Sequence, residues 1–117
     1  MQFFATIAAF AGLAAAAKVT DAIIRDNSGI NMAQFTVDGV KCTASEGQLG
    51  SRQIACPGSA FSWHIHGSNS DYTLTLFKGI NSDAPSGYGK VPVACRAGGA
   101  GANDKVCDQT SEVTIDI

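Results

Sequence analysis

The sequence predicts an all-β fold, a small antiparallel barrel or sandwich, and three observations predict it. Apolar and polar residues alternate with period two along most of the chain beyond residue 17, as in half-buried strands. Clusters of Gly, Pro, Ser, Asn and Asp interrupt that alternation at short intervals, where turns belong. No segment carries the 3.6-residue period of an amphipathic helix.

The N-terminal segment is the exception. Residues 1–17, MQFFATIAAFAGLAAAA, hold no charged side chain, and the first charge is Lys18. The run falls short of the roughly 20 apolar residues that a spanning helix needs. Ala15 and Ala17 occupy the small-residue positions of a secretory cleavage site. Residues 1–17 therefore read as a signal peptide, cut after Ala17 or a few residues later, and 18–117 as one secreted, extracellular domain. A membrane anchor or a buried helix would be the plainer readings of the run. No second apolar run is long enough to span a bilayer, so no membrane partner is expected.

Strands follow in order at 19–25, 32–42, 53–56, 60–66, 72–78, 89–94 and 112–117. The clearest is 60–66, in which Phe61, Trp63 and Ile65 face one way and Ser62, His64 and His66 the other. In 72–78, Tyr72, Leu74 and Leu76 oppose Thr73, Thr75 and Phe77. The glycine-rich stretch RAGGAGAND matches neither GxxxxGK[ST] nor GxGxxG, and no helix follows it. It reads as a loop in which Gly98, Gly99 and Gly101 supply positive φ.

Composition narrows the function. The 117 residues carry 8 Lys+Arg against 10 Asp+Glu, a net charge of -2 with no basic block. A nucleic-acid binder lacks its electrostatic footprint here. The four cysteines, Cys42, Cys56, Cys95 and Cys107, all lie beyond the leader. An even count in a small secreted chain implies disulfides, and four cysteines allow three pairings. Zinc ligation is disfavoured because no C-x-x-C occurs.

Few residues could carry chemistry. His64 and His66, two apart on one strand, could chelate zinc or copper, but a catalytic zinc wants a third protein ligand, for which Asp71 is the nearest choice. The plainer reading, a polar solvent-facing strand surface, is adopted, and neither metal nor cofactor is expected. A ribonuclease would need a Glu base, a His acid and an Arg on the phosphate, for which Glu46, His64 or His66, and Arg52 or Arg96 are candidates. No GxSxG occurs, and a cysteine nucleophile conflicts with oxidised cysteines. Phe61, Trp63 and Tyr72 could form a platform for a sugar or a flat ligand, but their alternation with polar residues favours core packing.

Residues 95–117, CRAGGAGANDKVCDQTSEVTIDI, resemble the C-terminal signature of the Alternaria alternata major allergen family: a C-R-A-G-G loop, a second Cys a dozen positions on, and a final strand. The resemblance extends back to Met32 through Cys42-Thr43-Ala44 and the segment GSAFSWHIHGSNSDYTLTLFK after Cys56. It implies a secreted fungal β-barrel with two sequence-local bridges, Cys42–Cys56 and Cys95–Cys107. It implies no enzymatic activity. Members are allergens, some of them elicitors of plant defence, associated with thaumatin-like defence proteins and flavonoid-type small molecules. Some members carry an extra N-terminal cysteine that links a dimer. This sequence has no cysteine before Cys42, so a monomer or a non-covalent dimer is expected. The resulting expectation is a non-enzymatic effector that binds host extracellular proteins or elicits defence. Turns and exposed strand faces would form its surface, with His64, His66 and Arg96 as candidate binding residues. A small secreted hydrolase, ribonuclease-like, or a small-ligand carrier is the other reading.

Overall fold

The computed structural model describes residues 16–117. Apart from Ala16 and Ala17, the leader reading lies outside the described residues. The elements in chain order are β1 (Ala16–Asn27), β2 (Ile30–Val37), β3 (Val40–Ser45), α1 (Glu46–Leu49), β4 (Ile54–Ala55), β5 (Ser62–Ser68), β6 (Asp71–Phe77), β7 (Ser86–Val91), β8 (Val93–Ala97), β9 (Asp104–Gln109) and β10 (Val113–Asp116). The larger sheet runs β3-β2-β1-β9-β8, with β10 also paired to β1; the smaller runs β4-β5-β6-β7. All pairings are antiparallel, and the two sheets do not join into one closed barrel. The all-β expectation holds.

β1 is the hub of the large sheet. Its first half pairs with β10 and its second half with β9 along the same edge. The register with β2 slips between Thr20 and Ile23, where Asp21 takes a φ of 56° and a bulge forms. At that point the backbone has no ladder partner on the β9/β10 side. Gln109 supplies one: its side chain accepts from the Ala22 N–H at 2.8 Å and donates to the Val19 carbonyl at 3.0 Å.

Four elements differ from the sequence reading. Residues 32–42 are not one strand but the hairpin β2–β3, turning at Asp38-Gly39 with φ of 48° and 85°. Asp-Gly is the favoured pair for a two-residue turn with both residues at positive φ. Residues 89–94 divide between two sheets because Pro92, with no N–H, cannot continue a ladder. β9 has no counterpart in the sequence reading, whose glycine-rich loop ends at Asp104; only Asp104 and Cys107 of its six residues are buried, which is too little to show a period. The single turn of α1 starts at Ser45, whose N–H is accepted by the Gln48 side chain at 3.1 Å, half of a capping box.

Both layers meet in one core. Val19, Ile24, Phe35 and Val37 of the large sheet are buried against Trp63, Leu74 and Leu76 of the small one. Phe35 meets Trp63 edge to face across the layers, with ring centroids 4.8 Å apart. The C-terminal strand passes close to β7: a Cβ at Gly87 would lie 1.9 Å from the Asp116 carbonyl oxygen. Only glycine fits there.

The bridges join Cys42 to Cys56 and Cys95 to Cys107. They do different work. Cys42 lies in β3 of the large sheet and Cys56 follows β4 of the small one, so the first bridge ties the layers together. Cys95 and Cys107 are direct partners in the β8–β9 register, so the second locks a hairpin within one sheet.

Candidate functional site

The alternation in β5, β6 and β7 places one set of side chains in the core and the other on an open face. Trp63, Ile65, Tyr72, Leu74 and Leu76 point inward and are buried. The register sets the outward residues in rows: His64 beside Thr75 beside Tyr88, and His66 beside Thr73 beside Lys90. Tyr88 is 76% exposed, an unusual position for an aromatic ring on a regular strand. Lys90 forms an ion pair with Asp71 at the edge of this face. Ser62 belongs to the same set by alternation but is buried, because the loop after β6 folds over it and the Gly79 carbonyl accepts its hydroxyl at 2.5 Å.

The two histidines are neighbours, with ring centroids 5.8 Å apart and planes inclined by 31°. His64 is held from behind: its Nδ1 lies 3.3 Å from the Ser51 carbonyl oxygen in the loop after α1. A carbonyl only accepts, so Nδ1 carries the proton.

The other candidates fall in two places. Arg96 sits on β8 in the large sheet and pairs with Asp108. Glu46 opens α1 and Arg52 follows it. Arg52 follows Ser51, whose carbonyl meets His64, whereas Arg96 belongs to the other sheet; among the described residues no ion pair joins Glu46, Arg52, Arg96 and the histidines to one another. No group of three or more His, Cys, Asp or Glu that could hold a metal occurs among the described residues. The aromatic platform does not form: Trp63 and Tyr72 have no exposed surface. Tyr88, which sequence reasoning missed, is the aromatic ring that does reach solvent. Its strand, SGYGKV, was hidden by two glycines inside a turn-rich stretch.

Two buried carboxylates hold the end of the fold nearest the glycine-rich loop. Asp26 accepts the Tyr72 hydroxyl at 2.6 Å and the Gly29 N–H at 2.8 Å. Burial pushes Asp26 up, but these bonds, the Asn69 amide and the charge of Lys105 outweigh it and hold the carboxyl below its ordinary value. Tyr72 is pushed up to about 12 by burial and by the hydrogen bond and charge of Asp26. Asp104 pairs with Arg25 at 2.9 Å and accepts the Ala100 N–H at 3.0 Å. Gly99 and Gly101 take positive φ as expected; Gly98 does not, and is small for another reason. A Cβ there would lie 2.3 Å from the Asp104 carboxylate.

Residues 26–107 match the family model described as Alternaria alternata allergen 1. The chain belongs to that family. The matched span runs from Asp26 to Cys107 and takes in both disulfides, β5, β6 and β7. Two crystal structures of the Alternaria alternata major allergen Alt a 1 share the fold. One superposes with a TM-score of 0.65 at 20% identity, covering 86% of this chain and 89% of that one. The other gives 0.67 at 22% identity, covering 86% and 85%. No curated protein matches the chain. As a family member the chain is an allergen-like protein, and that membership fits a non-enzymatic role.

Proposed function

We propose that this allergen-family chain is a secreted fungal effector that acts by binding, with the outer face of β5, β6 and β7 docking a host extracellular protein. Thaumatin-like defence proteins are the partner class, and elicitation of plant defence is the outcome. The observation that carries this reading is the exposed Tyr88 on a regular strand beside Thr75 and His64. Tyr88 stands on the edge strand of this open polar face, and an exposed tyrosine is the side chain that interfaces favour, because it brings large area at low entropic cost. Membership in the allergen family supports a binding role over hydrolysis.

The test is a pull-down from plant apoplastic fluid with wild type and Tyr88→Ala, together with leaf infiltration beside a reduced and alkylated control. Wild type is expected to retain a host protein and to raise a response. Tyr88→Ala should lose about tenfold or more in affinity for that protein, as removal of a central interface aromatic does. No recovered protein and no leaf response would sink the reading. A flavonoid-type small molecule is the second reading, supported by a surface hollow of about 400 Å³ beside the first disulfide that includes Phe61 and the exposed Ile80. Saturable quenching of Trp63 fluorescence that Ile80→Ala weakens would favour it.

A further inference from the structure

We propose that His64 and His66 form a two-imidazole chelate for a late first-row divalent cation, copper(II) before all others. The proposal is independent of the docking reading, since it needs only this strand and the loop behind it.

Three features carry it. First, a strand sends residues i and i+2 to the same side, and here the rings are already neighbours, 5.8 Å between centroids. An ion entering between them need not gather its ligands from separate elements.

Second, His64 has the backing that metal-bound histidines show. Its Nδ1–H donates to the Ser51 carbonyl at 3.3 Å, which leaves the lone pair of the neutral ring on Nε2. A solvent-facing histidine with no role has no need of a fixed tautomer. This contact is absent from any sequence pattern, and it turns two nearby imidazoles into one oriented ligand and a partner.

Third, the cross-strand neighbours do not repel a cation, although Arg52 follows the Ser51 that backs His64. The cross-strand neighbours of His64 and His66 are the hydroxyls Thr75 and Thr73. The nearest cationic side chain across the rows, Lys90, is engaged by Asp71.

The donor set selects the ion. Imidazole nitrogen suits copper, nickel and zinc, and in that order copper binds most strongly. Magnesium and calcium want oxygen ligands and should be refused. Among the described residues no third His, Cys, Asp or Glu completes the set. Water would fill the remaining positions, which makes this an open surface site and not a closed structural zinc.

The experiment titrates the disulfide-intact full chain with copper(II), nickel(II), zinc(II) and magnesium chlorides by calorimetry at neutral pH. Wild type, His64→Ala, His66→Ala and the double variant are compared. The expected result is one copper per chain at the tightest site, with affinity falling from copper to nickel and zinc and no magnesium binding. Each single variant should weaken copper by about tenfold or more, and the double variant should abolish the site. Circular dichroism of the variants should stay unchanged, since neither histidine is buried. Copper EPR should show coupling to two imidazole nitrogens, and zinc should shift the 15N resonance of His64 Nε2. Tight binding that survives in the double variant would overturn the proposal. So would a site that is lost on replacing one histidine and untouched on replacing the other, or a zinc shift at His64 Nδ1.

Discussion

Tyr72 donates its hydroxyl to a carboxylate that almost no solvent reaches. In an unfolded chain Asp26 would titrate near 3.9 and Tyr72 near 10. Folding lowers the first and lifts the second to about 12. The signs follow from linkage. Asp26 contributes stability that is present above about pH 4 and lost as pH falls through its lowered native value. Tyr72 contributes stability that is full below about pH 10 and lost as pH rises towards 12. Tyr72→Phe removes one bond from a buried carboxylate and should cost about 1–3 kcal/mol at neutral pH. Urea unfolding across pH 9 to about 12 checks the assignment. The wild type should weaken over that range and the variant should not; equal alkaline slopes would refute the role of Tyr72.

At the level of elements, Gln109 covers the gap where β1 leaves β10 for β9. Three backbone groups depend on its amide: Ala22 N–H, Val19 carbonyl and Ser111 carbonyl. Gln109→Ala should cost about 1–3 kcal/mol, because part-buried backbone groups lose their partners. Hydrogen exchange should localise the loss to Ala22 and its neighbours, and uniform acceleration across both sheets would argue against a local staple. This role was not legible in the sequence, since Gln109 belongs to a strand whose exposed and buried residues show no period. β5 and β6 were legible because each buries one face completely enough to alternate. The hairpin at Asp38-Gly39 was legible in principle, its dipeptide being a strong turn signal, but unbroken alternation on both sides concealed it. The face bearing His64 and His66 could be read from spacing alone. The carbonyl of Ser51 behind His64 could not, because that contact depends on how the loop after α1 packs against β5.

For the whole molecule, the two bridges are not equivalent. Each closes a short loop, of 14 and 12 residues in sequence separation, and each should contribute about 3 kcal/mol by loop-closure entropy. The first also holds one sheet to the other. Replacing Cys42 and Cys56 together by Ala should therefore cost at least that about 3 kcal/mol and loosen the Phe35–Trp63 contact between layers. Replacing Cys95 and Cys107 should leave that contact intact. Near-ultraviolet circular dichroism of the Trp63 environment separates the two cases, and identical spectra for both variants would show that the layers do not depend on the first bridge. All four cysteines are used within the chain, so a disulfide-linked dimer has no thiol to form from.

The position of β1 sets the order in which the molecule can be made. Lys18 pairs with Thr114, so the first strand to be synthesised waits for nearly the last residues before its ladder is complete. The β2–β3 hairpin and the Cys42–Cys56 loop need only nearby chain and can close early. Pairings so distant in sequence are slow to form. During that interval β1 presents an unpaired edge on which another nascent chain could add a strand. A ribosome that stops a few codons early therefore releases a chain that keeps all four cysteines but whose central sheet stays open.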